Sequence, residues 1–313
     1  MKRNISTEVQ LKESGKRLDK WLAERFNYRS RSQWQQSIKI GEISLNARSP
    51  KSSTTIYSGD IVKFSPQEVL EPEVSTDYEI LYEDADLLGI DKPGNLPCHP
   101  SGRFFENTLW FFLQKKYGKI HFVSRLDRET SGVMLVAKNP KTASILNKQF
   151  KEKHPEKEYL VLVHGKMSNP IHAEGYLIDN PDGLVRKKRF FVNSKDFEKN
   201  NSPQKGEYCC TDFFPEKTFA DFSLVRVLIS TGRLHQIRAT ACSLGYPVGG
   251  DKLYGLDEMF FLRFIEGKLT DSDRKLLLFE RQALHSRKIT FNHPSLNETI
   301  TVSAPIPKLF MTF

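Results

Sequence analysis

Between residues 15 and 64 the apolar positions change rhythm twice. Leu18, Leu22 and Phe26 recur at helical spacing, and Trp34 and Ile38 repeat it in the next segment. Ser30 or Ser32 is placed to cap that second helix and Gly41 to end it. Short strands are predicted at Ile43–Leu45 and Ile61–Phe64, the second opened by a Gly59-Asp60 turn. The pattern is a helix–turn–helix with a hairpin, and residues 1–14 before it read as a polar tail. Residues 65–76, SPQEVLEPEVST, hold two prolines and several acids and read as a linker. From residue 77 to 313 the rhythm shifts to short strands with interspersed helices: 80–82, 87–90, 133–137, 159–163, Phe222–Ile229 and 300–303. The whole predicts an α+β fold: a larger domain on a curved mixed or antiparallel β-sheet flanked by helices, behind a small helical and hairpin domain. A basic insertion at 186–205, RKKRFFVNSKDFEKNNSPQK, reads as a weakly ordered interruption.

Charge sharpens this division. The chain of 313 residues has a net charge of +9, with 47 Lys and Arg against 38 Asp and Glu. Residues 15–64 alone hold ten basic and four acidic side chains, so this small unit carries most of the excess. Concentrated positive charge on a helical unit favours a nucleic-acid partner over a solvated face. Arg29, Arg31 and Gln35 lie beside the start of the second helix, where side chains and free backbone N–H groups would grip phosphates. The insertion at 186–205, with seven basic residues and two acids, offers either a second contact or an inert surface loop.

Composition also excludes classes. The four cysteines, Cys98, Cys209, Cys210 and Cys242, form no CxxC pair and have no His at zinc-ligand spacing. No metal and no cofactor are therefore expected, and reduced thiols in a cytoplasm are the simpler reading. The polar N-terminus does not resemble a signal sequence, and no apolar run reaches the length of a membrane span. A monomer in the cytoplasm, away from membranes, is the expectation.

Three segments can carry chemistry. Asp127, in SRLDRETSG at 124–132, lies in a polar turn before the apolar strand VMLVA, between Arg125 and Arg128. Neighbouring cations favour its ionised form, which makes it a usable nucleophile or base, or a turn-organising carboxylate. TGRLHQIR, at 231–238, opens a helix whose apolar side is predicted as Leu234, Ile237, Ala241 and Leu244. Arg233, His235 and Arg238 then surround a helix N-terminus that suits an anion, either a carboxylate or an RNA phosphate. Tyr159, in KEYLVLVHG at 157–165, belongs to the core unless its ring faces the cleft that holds Asp127.

Together, SRLDRETSG, KEYLVLVHG and STGRLHQIRATACSLGYPVGGDKLYG resemble the three core motifs of the RluA-type pseudouridine synthases. ILYEDADLLGIDKPGNLPCHPSG resembles the family's opening strands, RQALHSRKITFNHP its closing ones, and residues 15–64 an S-four-like RNA-binding domain. The resemblance runs in order along nearly the whole chain. It implies an isomerase that converts selected uridines of structured RNA to pseudouridine, in large-subunit ribosomal RNA or in transfer RNA. It further implies that Asp127 attacks or deprotonates the target nucleoside and that Arg125 helps hold the base out of the helix. Tyr159 would stack on the flipped base, Arg233 would pair with the aspartate, and Ile237 would pack in the pocket. Ser124 stands where the family usually has His, and Ala239-Thr240 where it commonly has Val-His; these departures bear on flanking nucleotides and hence on the choice of target. Two other readings compete: a non-catalytic RNA-binding or ribosome-assembly factor on the same fold, and a nucleoside glycoside hydrolase, which would need a carboxylate partner for Asp127 such as Glu129.

Overall fold

The computed structural model describes residues 5–26, 29–65, 71–152, 155–180, 183–185, 187–199 and 205–311. The chain forms two compact units, residues 1–73 with 99–112, and residues 74–98 with 113–313.

In the smaller unit, strand β1 (Ile5–Glu8) precedes helices α1 (Leu18–Arg25) and α2 (Arg31–Lys39) and strands β2 (Ile43–Leu45) and β3 (Ile61–Phe64). The periodic residues Leu18, Leu22, Trp34 and Ile38 all turn inward, packing with Trp21, Ile43, Ile56, Val62 and Phe64. Ser30 caps α2 by accepting from the Gln33 N–H, while the Gln33 side chain accepts from the Ser30 N–H, so two orphan donors of the first turn are satisfied. Residues 5–8 are not tail: β1 pairs antiparallel with β3, Thr7 opposite Val62, giving the sheet order β1-β3-β2, and Val9 enters the core. Four polar-rich residues gave no periodicity to read; backbone pairing to a strand more than fifty positions later decides their state.

In chain order there follow β4 (Glu79–Glu83), β5 (Leu87–Lys92), α3 (Leu109–Tyr117), β6 (His121–Phe122), β7 (Ser131–Ala137), α4 (Pro140–Glu152) and β8 (Glu156–His164). Next come β9 (Ile171–Asp179), β10 (Arg189–Asn193), α5 (Ser194–Lys199), β11 (Glu207–Thr218), β12 (Phe222–Ile229) and α6 (Gln236–Ser243). The chain continues through α7 (Met259–Glu266), α8 (Asp271–Leu277), β13 (Leu284–Asn292) and β14 (Thr299–Ser303). The strands from β4 onward make one mixed sheet, ordered β10-β9-β11-β12-β8-β13-β7-β5-β4, with β14 beside β13 and β6 beside β7. The β7–β13 pair is parallel and the other pairs are antiparallel.

The centre of this sheet is covered on both faces. On β8, Tyr159, Val161 and Val163 face a core shared with Val225, Val227 and Ile237, while Leu160 and Leu162 face Phe222, Phe279 and Phe310. That is why YLVLV is continuously apolar rather than alternating. At the parallel junction, Gly132 has φ +107 and lies so close to the Ser286 backbone that an added Cβ would sit 2.0 Å from its carbonyl oxygen. No other residue fits there.

The basic insertion is more ordered than its composition suggests: Arg189–Asn193 pairs with β9 and Ser194–Lys199 is helical, while positions 186 and 200–204 lie outside the described residues. Leu234, expected on the apolar side of a helix, is instead exposed, because α6 begins only at Gln236. No helix among the described residues is long and apolar enough to cross a membrane.

Candidate active site

Asp127 sits on the loop entering β7, and that loop is held by its backbone. The Cys98 thiol donates to Leu126 O at 3.0 Å, and Arg281 donates to Glu129 O at 3.3 Å. The Lys92 ammonium donates to Pro93 O, Leu96 O and Arg128 O at 2.7, 3.0 and 3.1 Å. Lys92 is completely buried, and burial pulls its pKa down to about 8 despite nearby Asp127 and Asp91. Three carbonyls thus converge on one cation at the end of β5. Gln282 donates to the Thr130 hydroxyl, and Ser131 bonds the His285 ring at 3.0 Å, tying the far end of the loop to β13 and the residues before it.

The carboxylate of Asp127 accepts from Arg238 Nη1 at 2.6 Å and remains about a quarter exposed. Arg238, on the first turn of α6, is buried and donates through Nε and Nη2 to both oxygens of Asp251 at 2.6 and 2.8 Å. Asp251 also accepts the N–H groups of Leu253 and Tyr254, so a fully buried carboxylate has four donors. One guanidinium therefore bridges a closed carboxylate and an open one. Burial alone would raise the Asp127 pKa, but Arg238 outweighs it and holds the group below its ordinary 3.8. Burial likewise works against the Arg238 charge, and Asp251 and then Asp127 restore it, so the guanidinium stays protonated.

The turn leading into α6 is organised by Gln236. Its Oε1 accepts from the Thr231 hydroxyl and the Arg233 N–H, and its Nε2 donates to Cys210 O and Thr211 Oγ1. His235, in the left-handed region at φ 58, puts Nε2 3.9 Å from Asp127 and Nδ1 3.0 Å from the Tyr254 hydroxyl. Burial, with Arg238 beside it, depresses its pKa to about 4, so the ring is neutral at pH 7. Tyr159 lies in the apolar core below with Ile237 and Leu126, its hydroxyl directed at Ser286 and its pKa pushed up to about 12 by burial.

The expected pairing of Arg233 with Asp127 is corrected. Arg233 lies before α6, exposed, and its Nε donates to Tyr208 O at 3.0 Å; the helical phase carries Arg238 to the carboxylate. Arg238 stood among the polar groups named for this helix start, but Asp251, Lys92 and Tyr254 were not singled out. The usable signal lay in GGDKLYG, whose Asp has no surface role once the following N–H groups turn back on it. Arg125 is exposed beside the site. Glu129 is no partner for Asp127: Lys252 binds it at 2.7 Å, and burial raises its pKa.

In the smaller unit, Arg29 and Arg31 are engaged internally. Arg29 donates to Glu42 at 2.9 Å and to Ser37, and its guanidinium lies 4.9 Å from the Phe64 ring centroid. Arg31 and Gln35, with Arg17, converge on the buried Asp19, and these donors overcome its burial to hold its pKa far below the carboxylate range. Arg29 is therefore not a free phosphate ligand, whereas Arg31 stays half exposed.

The fold thus brings together the partly open carboxylate of Asp127, its buried partner Arg238, the neutral ring of His235 and, in the apolar core, Tyr159 and Ile237. The sequence pattern of the RNA pseudouridylate synthase family matches residues 86–243, which contain Asp127, Tyr159 and Arg238, and the chain belongs to that family. It is 32% identical to an uncharacterized RNA pseudouridine synthase of Bacillus subtilis, over 95% of this chain and 92% of the relative. It is 30% identical to the ribosomal large subunit pseudouridine synthase D of Vibrio cholerae, over 97% and 91%. It is also 30% identical to a mitochondrial tRNA pseudouridine(32) synthase of Saccharomyces cerevisiae, over 82% of this chain and 54% of that one. Among solved structures, human RNA pseudouridylate synthase domain containing 1 superposes with a TM-score of 0.57 at 25% identity, over 76% of this chain and 87% of that chain. The mixed α+β fold and the isomerase activity on RNA follow from this membership.

Proposed function

We propose that this RNA pseudouridine synthase modifies one or a few uridines of large-subunit ribosomal RNA, with Asp127 as the catalytic carboxylate. The observation that carries the site assignment is the Asp127–Arg238–Asp251 array, in which a partly open carboxylate is held ionised by a buried guanidinium. The choice of RNA rests on the relatives named for the large ribosomal subunit.

Pseudouridine formation breaks the glycosidic C–N bond, turns the uracil and rejoins it through carbon, with no net redox change. The target must leave its stack, at about a few kcal/mol of unstacking. Arg125 offsets this by occupying the vacated position, and Tyr159 and Ile237 by packing against the base. Asp127, held ionised, attacks or deprotonates the nucleoside, and Arg238 stabilises the charge that develops. Residues 15–64 act as an S-four-like RNA-binding domain, adding salt-dependent phosphate contacts. Arg31 belongs to that surface, together with Lys39 and Lys51, which line a groove with Ser32, Gln36 and Ser52. The enzyme works as a cytoplasmic monomer without a cofactor.

The test is pseudouridine mapping across total RNA from cells lacking the gene, complemented with wild type or Asp127→Asn. Loss of discrete large-subunit sites, restored by wild type alone, supports the proposal. Loss confined to transfer RNA would move the target to the class named for the yeast relative. Restoration by Asp127→Asn would remove Asp127 from the chemistry.

A further inference from the structure

The outward face of β9 and β11 carries a block of four donor side chains. Register sets His172 opposite Asp212 and Glu174 opposite Cys210, two adjacent cross-strand pairs on one face. His172 Nδ1 lies 2.6 Å from Asp212 Oδ1, and its Nε2 lies 3.8 Å from Glu174 Oε2. One donor atom each from His172, Cys210 and Asp212 fall within 4.8 Å of one another. Sequence spacing gives no hint of this, because His172 and Asp212 are 40 positions apart and meet only through strand pairing.

The block is anchored as well as assembled. Cys210 is partly buried; its N–H donates to Thr231 Oγ1 at 3.4 Å and its carbonyl accepts from Gln236 at 3.0 Å. The Tyr208 hydroxyl fixes Glu174 at 2.9 Å. Two carboxylates and a thiol face a single imidazole, a field that favours a cation. Nitrogen and sulfur beside oxygen select a borderline-soft metal over Mg²⁺ or Ca²⁺, which take oxygen shells.

We propose that His172, Cys210 and Asp212 form a zinc-type metal site on the outer face of β9 and β11, with Glu174 adding negative charge beside it. The ion takes the place of the proton that His172 shares with Asp212 and displaces the thiol proton of Cys210, so binding releases protons and weakens in acid. The site clips β9 to β11. Through Cys210 it also braces the Thr231–Gln236 turn that sets the start of α6.

The test is a titration of the reduced, chelator-treated full-length protein with Co²⁺, then displacement by Zn²⁺. A thiolate-to-cobalt charge-transfer band that saturates at one equivalent and is quenched by Zn²⁺ is expected. Cys210→Ser abolishes the band, Cys242→Ser keeps it, and His172→Gln weakens affinity at least tenfold. Zn²⁺ raises the melting temperature of wild type and not of Asp212→Asn. Circular dichroism of each variant before metal addition shows that the fold is intact. Absence of the band in wild type, its persistence in Cys210→Ser, or equal affinity in His172→Gln would overturn the site.

Discussion

Replacing Arg238 by Gln removes the cation that Asp127 and Asp251 share. Arg238 contacts Asp127 at 2.6 Å and Asp251 at 2.6 and 2.8 Å. At an effective dielectric of about 20, charges about 4 Å apart interact by about 4 kcal/mol, which corresponds to about 3 pKa units. Asp127 is held below its ordinary 3.8, so loss of Arg238, with burial and Asp251 unopposed, raises its pKa well above that value. Single-turnover release of tritium from C5 of labelled uridine in a transcript reports the step directly, because that hydrogen leaves when the base rejoins through carbon. For Arg238→Gln the expected rate at pH 7 is lower by about 100- to 1,000-fold, as when one preorganised charge donor is lost. The rate should also climb with pH as the carboxylate ionises, whereas wild type stays flat over the same range. Arg238→Lys keeps the charge but not the fork, and should fall between the two with a flat profile. A rate within about threefold of wild type, or a loss of activity with no pH slope, would refute electrostatic holding of Asp127.

Three further outcomes follow from the same contacts. Lys92→Met leaves the carbonyls of Pro93, Leu96 and Arg128 without their shared donor, so urea unfolding should show about 3–5 kcal/mol less stability; a change under about 1 kcal/mol would contradict that role. Gly132→Ala forces a methyl into the Ser286 backbone at a φ of +107, and should yield insoluble protein or a loss above about 4 kcal/mol, read by soluble yield and thermal melting. His235 and His285 are both held neutral, with pKa values of about 4 against an ordinary 6.5. A depressed His pKa means that the unfolded chain takes up protons first, so stability is flat above pH 6.5 and falls below it at about 1.4 kcal/mol per unit per ring. Urea titrations should show about 3 kcal/mol lost from pH 6.5 to 5; below about pH 4 Asp127 and Asp251, whose pKa values are lowered, add their own loss. Unchanged stability between pH 7 and 5 would exclude buried neutral rings.

Much of the fold was legible because packing and pattern agree. The boundaries of β2, β3 and β12 follow from apolar periodicity and turn residues, and α2 from its Ser30 cap. What pattern hid was decided by partners distant along the chain. β9 is broken as a pattern by Gly175, which is there because the Val192 carbonyl passes 2.2 Å from where its Cβ would lie. Motif order singled out Asp127, Tyr159 and the segment leading into α6, but chose Arg233 where Arg238 makes the contact with Asp127. That choice depends on where the helix begins and on Asp251, thirteen positions beyond Arg238. The basic residues of 15–64 show the reverse limit: charge was countable, yet Asp19 and Glu42, both buried, claim the arginines nearest to α2.

The parallel contact of β7 with β13 has a consequence for how the protein comes to be active. Ser131 and His285, bonded across that junction, are 154 residues apart in the chain. Closing so long a loop is entropically slow, and parallel pairing cannot begin from a local turn. Asp127, Tyr159 and Arg238 are all synthesised well before β13. Yet β13 supplies the neighbour of β8 and, with Arg281 and Gln282 just ahead of it, the clasp on the Asp127 loop. A chain that has not reached β13 therefore holds Asp127, Tyr159 and Arg238 without the strand that pairs with β7 and β8 or the clasp on the Asp127 loop. Under the proposed assignment, a chain lacking residues 281–313 keeps Asp127, Tyr159 and Arg238 and is expected to show no tritium release.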